Sequence, residues 1–284
     1  MPALERIVAT RDGGRLWTTV SGSGPAVIAC HGGPGLWDYL GSLAELLEDS
    51  FTIVRFDQRG CGRSSDAHTF TIEQAVQDLD AVRAAYDFGE VGLIGHSWGA
   101  ELVLRYAARY PEHSRSIAYV AGVGSDDAFR PYYRAEFARR LGSELSRWEQ
   151  LAAMRRTSAE EREFCLLQWR PDFAPTPRAP EHARALWGTR PQGVAVNVRA
   201  NRELWNERTS NDLLAQARDV IAPVLMLFGS DDPRPWRTTA SVREELARAG
   251  VDVEHLVLDG AGHAPWVERP SLTRDALRRT LAPR

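Results

Sequence analysis

Ser97 stands at the centre of Gly95-His96-Ser97-Trp98-Gly99. The apolar run Val91-Gly92-Leu93-Ile94 precedes it, and Ala100-Glu101-Leu102-Val103-Leu104-Arg105-Tyr106-Ala107-Ala108 follows. That order predicts a strand, a sharp turn and an amphipathic helix. Small flanking residues are needed where strand and helix pass closely, and the serine hydroxyl is lifted toward solvent. A serine hydroxyl is a weak nucleophile at neutral pH. It needs a base within hydrogen-bond reach and a third group to orient that base.

Residues that could fill those roles lie late in the chain. Ala222-Pro223-Val224-Leu225-Met226-Leu227-Phe228 reads as a buried strand and ends in Gly229-Ser230-Asp231-Asp232-Pro233. Val253-Glu254-His255-Leu256-Val257-Leu258 reads as another and ends in Asp259-Gly260-Ala261-Gly262-His263. Loops just past strand C-termini are where open α/β sheets assemble their sites. His263 is therefore the expected base, with Asp231, Asp232 and Asp259 as possible orienting carboxylates. The other histidines fit bland roles. His255 alternates with Val253 and Val257 inside a strand, and His96 is fixed in the turn. His31 belongs to a glycine loop, while His68, His113 and His182 sit in polar stretches that read as solvated surface.

That glycine loop is Cys30-His31-Gly32-Gly33-Pro34-Gly35, after the apolar Ala26-Val27-Ile28-Ala29. Acyl transfer builds negative charge on a carbonyl oxygen, and backbone N–H groups aimed at it lower the barrier. The expected oxyanion donors are Trp98, which follows the nucleophile, and Gly33. Glycine suits the second position because it allows backbone conformations closed to other residues.

The stretches His31-Gly32-Gly33-Pro34-Gly35, Asp57-Gln58-Arg59-Gly60-Cys61-Gly62-Arg63-Ser64 and Ser97-Trp98-Gly99 resemble the proline iminopeptidase family of α/β-hydrolases. The general α/β-hydrolase likeness runs through nearly the whole chain, and the narrower one through roughly the first hundred residues. The resemblance implies a triad in the order Ser, acid, His. Its Gly-x-x-Asp spacing selects Asp232, three residues after Gly229. It also implies acyl hydrolysis: such enzymes cleave an N-terminal residue, often proline, and relatives include amidases and esterases. In the aminopeptidases, glutamates of an inserted cap hold the substrate ammonium. Trp148-Glu149 is similar to the pair supplying one of them, which makes Glu149 a substrate-binding candidate. The second falls at Ala200, leaving Glu203 or Glu207 as replacements. The turn also carries His96 where the family usually has glycine.

The elements expected to position these residues alternate. Ile7 to Val20 reads as a hairpin turning at Asp12-Gly13-Gly14. Strands at 26–30, 51–56, 91–94 and 117–121 alternate with helices near 40–47, 72–86 and 100–109, implying a mostly parallel, doubly covered sheet. The strand pattern then stops. Apolar periodicity in Ala135–Leu145 and Leu151–Leu167 suggests helices of an inserted cap over Ser97. The expected division is a catalytic α/β-hydrolase core of residues 1–123 and 210–284, with a helical cap (lid) of 124–209. Trp37, after the glycine loop, and Trp266, after His263, are expected to wall the substrate pocket.

Composition bounds the function. The 284 residues suit one catalytic unit with an insertion. A net charge of −3 makes no electrostatic case for nucleic acid or an acidic membrane. All 35 basic residues are arginine, which excludes lysine Schiff-base and Walker-loop chemistry. Three cysteines without local pairing argue against a disulfide framework, and neither metal-ligand spacing nor a cofactor motif is present. The start Met1-Pro2-Ala3-Leu4-Glu5-Arg6 lacks a leader pattern, so a cytoplasmic location is expected. The leading expectation is a serine hydrolase acting through an acyl-enzyme on an amide of a small peptide-like or aminoacyl substrate. The alternatives are a carboxylesterase or lactonase for a small apolar ester and, from another class, a non-hydrolytic ligand-binding protein.

Overall fold

The computed structural model describes residues 4–283. The expectation about the chain start rests partly on residues 1–3, outside that range. Eight strands form one sheet: β1 (Leu4–Ala9), β2 (Arg15–Gly22), β3 (Ala26–Cys30), β4 (Thr52–Phe56), β5 (Val91–His96), β6 (Ser114–Val120), β7 (Val224–Gly229) and β8 (Val253–Leu258). Their order is β1-β2-β4-β3-β5-β6-β7-β8. β2 runs antiparallel to both its neighbours, and every other pairing is parallel.

Successive strand residues point to opposite faces, so the sheet builds two cores. Ile28, Val54, Leu93, Ile117 and Met226 meet the helices Ile72–Ala85, Trp98–Arg109, Ser210–Ala217 and Ala240–Arg248. Val27, Ile53, Ile94, Ala118 and Leu225 meet the helices Gly41–Glu45 and Pro270–Leu281 and the turn bearing Trp266. Because both faces are covered, β5 and β7 are buried at every position. This explains why they read as unbroken apolar runs. Cys30, Cys61 and Cys165 are all buried free thiols.

Between β6 and β7 lie the helices Phe129–Leu141, Leu145–Ala153, Ser158–Trp169, Ala179–Gly188 and Val198–Glu207. Their boundaries differ from the sequence expectation. The helix expected over Ala135–Leu145 stops at Leu141, where Gly142 takes φ 56°, a left-handed conformation that glycine adopts without steric cost. The helix expected over Leu151–Leu167 is two helices. The second starts at a capping box, with Glu160 N–H donating to Thr157 Oγ1 (3.3 Å) and Thr157 N–H to the Glu160 carboxylate (2.8 Å). The inserted helices return to the core beside a buried ion cluster. Glu101 binds Arg105 at 2.7 Å and also Arg208, and all three side chains are nearly inaccessible. No helix among the described residues is long and apolar enough to cross a membrane.

Candidate active site

The strand–turn–helix around Ser97 is forced by close backbone approach. A Cβ on Gly99 would lie 2.2 Å from the Cys30 carbonyl oxygen, and one on Gly95 would lie 2.1 Å from that of Gly99. Ser97 itself takes φ 56° and ψ −117°, a conformation that costs a non-glycine residue free energy and persists only where its surroundings hold it. Its N–H is tied to the Val120 carbonyl at 2.9 Å.

Asp232 lies just past β7 and His263 just past β8. The Asp232 Oδ2 accepts a hydrogen bond from His263 Nδ1 at 2.6 Å, and both side chains are buried. An ionised carboxylate only accepts, so the ring proton sits on Nδ1 and Nε2 is left bare. The second oxygen, Oδ1, accepts the Arg234 N–H at 2.8 Å. Burial raises the carboxyl of Asp232 above its ordinary range. Burial, and then the nearby Arg234 charge, lowers the imidazole of His263. At neutral pH His263 is an uncharged base. Asp231, the rival acid, is only half-buried and does not reach the ring; its N–H donates to the Ala261 carbonyl at 2.8 Å.

The His263 backbone is held on both sides. Its N–H donates to the Asp172 carbonyl at 2.7 Å, and its carbonyl accepts from His96 Nε2 at 2.7 Å. His96 Nδ1 meets the Tyr39 hydroxyl at 2.6 Å, which accepts the Gly32 N–H at 2.8 Å. Burial keeps His96 uncharged, so its bare Nδ1 can accept the Tyr39 proton. His96 therefore links the glycine loop to the base, a role the family's usual glycine could not fill. Among the described residues no hydrogen bond joins His263 to Ser97 Oγ. The two side chains face one cavity of about 1160 Å³, which Gly33 also lines. Such contacts commonly tighten only when substrate binds.

Gly33 takes φ +126°. Trp98 is the first residue of its helix, where the N–H has no carbonyl partner within the helix. Its side chain is pulled away from the cavity, with Nε1 donating to Gln58 Oε1 at 3.1 Å.

The substrate-binding expectations fare unequally. Trp266 lines the cavity, its ring 4.7 Å from that of His96. Trp37 does not. It stands behind the wall, donating to Thr189 Oγ1 at 2.9 Å and meeting Trp169 edge-on at 5.6 Å. Thr189 and Trp169 are the lining residues there. Glu149 is exposed on the helix Leu145–Ala153 and does not line the cavity. Neighbouring helix positions point about 100° apart, so Trp148 packs against Phe137 and Phe164 while Glu149 faces out. Glu203 and Glu207 do not replace it, because their carboxylates accept the Phe70 N–H (3.0 Å) and the Ile72 N–H (2.9 Å). Ala200 is buried against Trp98 and Leu204. His182, expected on the surface, is buried, lines the cavity and packs on Phe173.

Three carboxylates do line the cavity: Glu45, Glu161 and Asp172. Glu45 is exposed, Glu161 is bound by Arg156, and Asp172 is bound by Arg234 at 2.7 Å. Sequence reasoning missed Tyr39, Asp172 and Arg234. Arg234 had a signal, standing two residues after Asp232, whereas Tyr39 and Asp172 reach the site only through the fold.

The sheet order, the strained serine after β5 and the buried pair after β7 and β8 define an α/β-hydrolase architecture. Residues 25–270 match the alpha/beta hydrolase fold family, and the chain belongs to it. Within that family it resembles proline iminopeptidases. It is 39% identical over 104 residues to the proline iminopeptidase of Thermoplasma volcanium, a segment covering 35% of this chain and 35% of that relative. The crystal structure of a proline iminopeptidase from Mycobacterium smegmatis superposes with a TM-score of 0.70 at 23% identity, covering 98% of this chain and 97% of that one. A proline iminopeptidase-related protein from Thermus thermophilus gives 0.73 at 24%, covering 100% and 99%. At those identities the structural likeness is one of fold.

Proposed function

We propose that this chain is a serine hydrolase working through an acyl-enzyme. His263 Nε2 takes the Ser97 proton as Oγ attacks the acyl carbon, and the Gly33 and Trp98 N–H groups hold the developing oxyanion. Asp232 keeps the proton on Nδ1 and stabilises the imidazolium. His263 then passes the proton to the leaving group, and a water activated by the same ring releases the acid. The observation that carries this reading is the buried Asp232–His263 pair opening onto the cavity that Ser97 lines.

The lining supports an uncharged, apolar acyl group. Phe129, Tyr133, Phe164, Trp169, Trp205 and Trp266 face the cavity, a surface that favours apolar or cyclic groups. The two carboxylates among the inserted helices are already neutralised by arginine. An ester or amide of a small apolar acid fits that lining better than a free aminoacyl group. The aminopeptidase reading draws on the likeness to proline iminopeptidases, and it requires Glu161 or Asp172 to exchange its arginine for the substrate ammonium.

Matched aryl esters and arylamides, each with a free or acetylated amino group, test the reading alongside a fluorophosphonate probe. The parent should be labelled at Ser97, Ser97→Ala should be unlabelled and inactive, and the acetylated or plain acyl substrates should turn over fastest. Labelling at another residue, or activity in Ser97→Ala, overturns the mechanism. Exclusive use of free-amine substrates overturns the substrate class.

A further inference from the structure

The inserted helix Val198–Glu207 does more than roof the cavity: its first turn is fastened to the glycine loop that carries Gly33. Asn197 caps this helix, accepting the Ala200 N–H at 3.0 Å. It also donates its backbone N–H to the Gly35 carbonyl at 2.8 Å and its side-chain amide to the Gly60 carbonyl at 2.9 Å. The approach is so close that a Cβ on Gly35 would lie 2.4 Å from the Asn197 oxygen. One turn on, on the same face, Asn201 spends both amide hydrogens on the loop. Its Nδ2 donates to the Gly33 carbonyl at 2.7 Å and to the Pro34 carbonyl at 2.8 Å.

These two bonds matter because of what they hold. With φ at +126°, Gly33 occupies backbone space where no Cβ constrains it, so its neighbouring peptides rotate freely unless tethered. On one side the Gly32 N–H is tethered to the Tyr39 hydroxyl, and the Gly32 carbonyl, in the peptide that carries the Gly33 N–H, accepts from His31 Nδ1 at 2.7 Å. On the other, the Gly33 carbonyl is tethered by Asn201 alone among the described side chains. Oxyanion stabilisation depends on donors already aimed before charge develops.

From this geometry we infer that Asn201 is a positioning residue for the oxyanion hole, reaching from the inserted helices to fix the peptides that follow the Gly33 N–H by cross-linking the Gly33 and Pro34 carbonyls. This rests on the serine-hydrolase reading above. Removing a donor outright costs about 10²–10³ in kcat. Releasing one of three tethers should cost less, about 10-fold.

The test uses the full chain and compares Asn201→Ala and Asn201→Asp with Glu203→Gln. Asn201→Asp keeps the shape but puts oxygen against two carbonyls. Glu203→Gln perturbs the same helix without touching the glycine loop. The readouts are kcat and KM on an aryl ester, inhibition by phenylboronic acid, which forms a tetrahedral adduct with serine, and circular dichroism. Both Asn201 variants should lose kcat with KM within about twofold, and boronate inhibition should weaken in proportion, because the effect is confined to the tetrahedral species. Glu203→Gln should keep the parent kcat. Unchanged kcat in folded Asn201→Asp, a loss carried by KM, or an equal loss in Glu203→Gln overturns the inference alone. Absence of Ser97 labelling in the parent overturns the serine-hydrolase reading and this inference with it.

Discussion

Replacing Asp232 by asparagine changes one atom, and the structure states what that atom must do. Asp232 Oδ1 accepts the Arg234 backbone N–H at 2.8 Å, and the Arg234 guanidinium lies 3.7 Å from the same oxygen. Both are donors, so the amide oxygen of asparagine has to face them. The amide NH₂ then takes the Oδ2 position, 2.6 Å from His263 Nδ1. Two donors cannot share that bond, so the imidazole must move its proton to Nε2, the nitrogen that accepts from Ser97 in the mechanism proposed above. The expected loss is about 10⁴ in kcat, the size seen when a triad histidine is held in the wrong tautomer. At 1.36 kcal/mol per decade that is about 5.4 kcal/mol of barrier. Asp231→Asn is the control. That side chain is half-buried and does not touch His263, and a substitution away from such contacts should cost about twofold at most. The assay is steady-state hydrolysis of an aryl ester, with fluorophosphonate labelling rates on both variants and circular dichroism to confirm folding. A loss under about tenfold in folded Asp232→Asn, or a larger loss in Asp231→Asn, would refute the tautomer argument.

Other expectations follow from the same contacts. The base must be unprotonated, and burial lowers His263 from 6.5 while raising Asp232 from 3.8. With Asp232 raised to about 6 and His263 lowered to about 3, the pair should take up its first proton as the pH drops through about 6, and kcat/KM should fall there; an inflection above pH 7 would contradict this. Glu101→Ala strands Arg105 and Arg208 without their buried partner, which should cost about 3–5 kcal/mol of stability. Urea unfolding would measure it, and a loss below about 1 kcal/mol would show the cluster to be dispensable. Glu149→Gln should leave KM unchanged for free-amine and N-acetylated substrates alike, because the carboxylate is exposed and outside the cavity. A rise for the free amine alone would return Glu149 to the site.

The placement of Ser97 and His263 past strand ends was legible because the signals are local: an apolar strand, a turn of small residues, and a chemical side chain past the strand end. The same holds for the core strands, whose unbroken apolar runs follow from a sheet covered on both faces. Asp232 needed the family spacing, since nothing in Asp231-Asp232 alone says which carboxylate turns inward. Glu149 went wrong because a dipeptide motif does not specify helix phase. The aromatic stripe that orients Leu145–Ala153 comes from Phe137 and Phe164 on other helices. The division of Leu151–Leu167 was present in the sequence as Thr157-Ser158-Ala159-Glu160, a capping box overridden by apolar periodicity. Tyr39 and Asp172 left no local trace, because each reaches the site across a long sequence separation, to His96 and His263. Asn201 stands in the stretch likened to the family's asparagine motif, but its partners Gly33 and Pro34 lie far away in sequence.

The fastening of Asn197 and Asn201 onto the glycine loop bears on how such enzymes can be recombined. Inserted helices are usually treated as exchangeable parts that change specificity on a constant catalytic chassis. Here the seam between the two parts runs through Gly33, Pro34 and Gly35, so a graft that replaced residues 124–209 alone would cut it. The unit of exchange is the inserted segment together with its matching glycine loop. A recipient with anything but glycine at its Gly35 position would put a Cβ 2.4 Å from the backbone oxygen at the Asn197 position. Such a chimera would keep Ser97, His263 and Asp232 and lose the bonds that hold the glycine loop, which on the inference above leaves its donor misaimed.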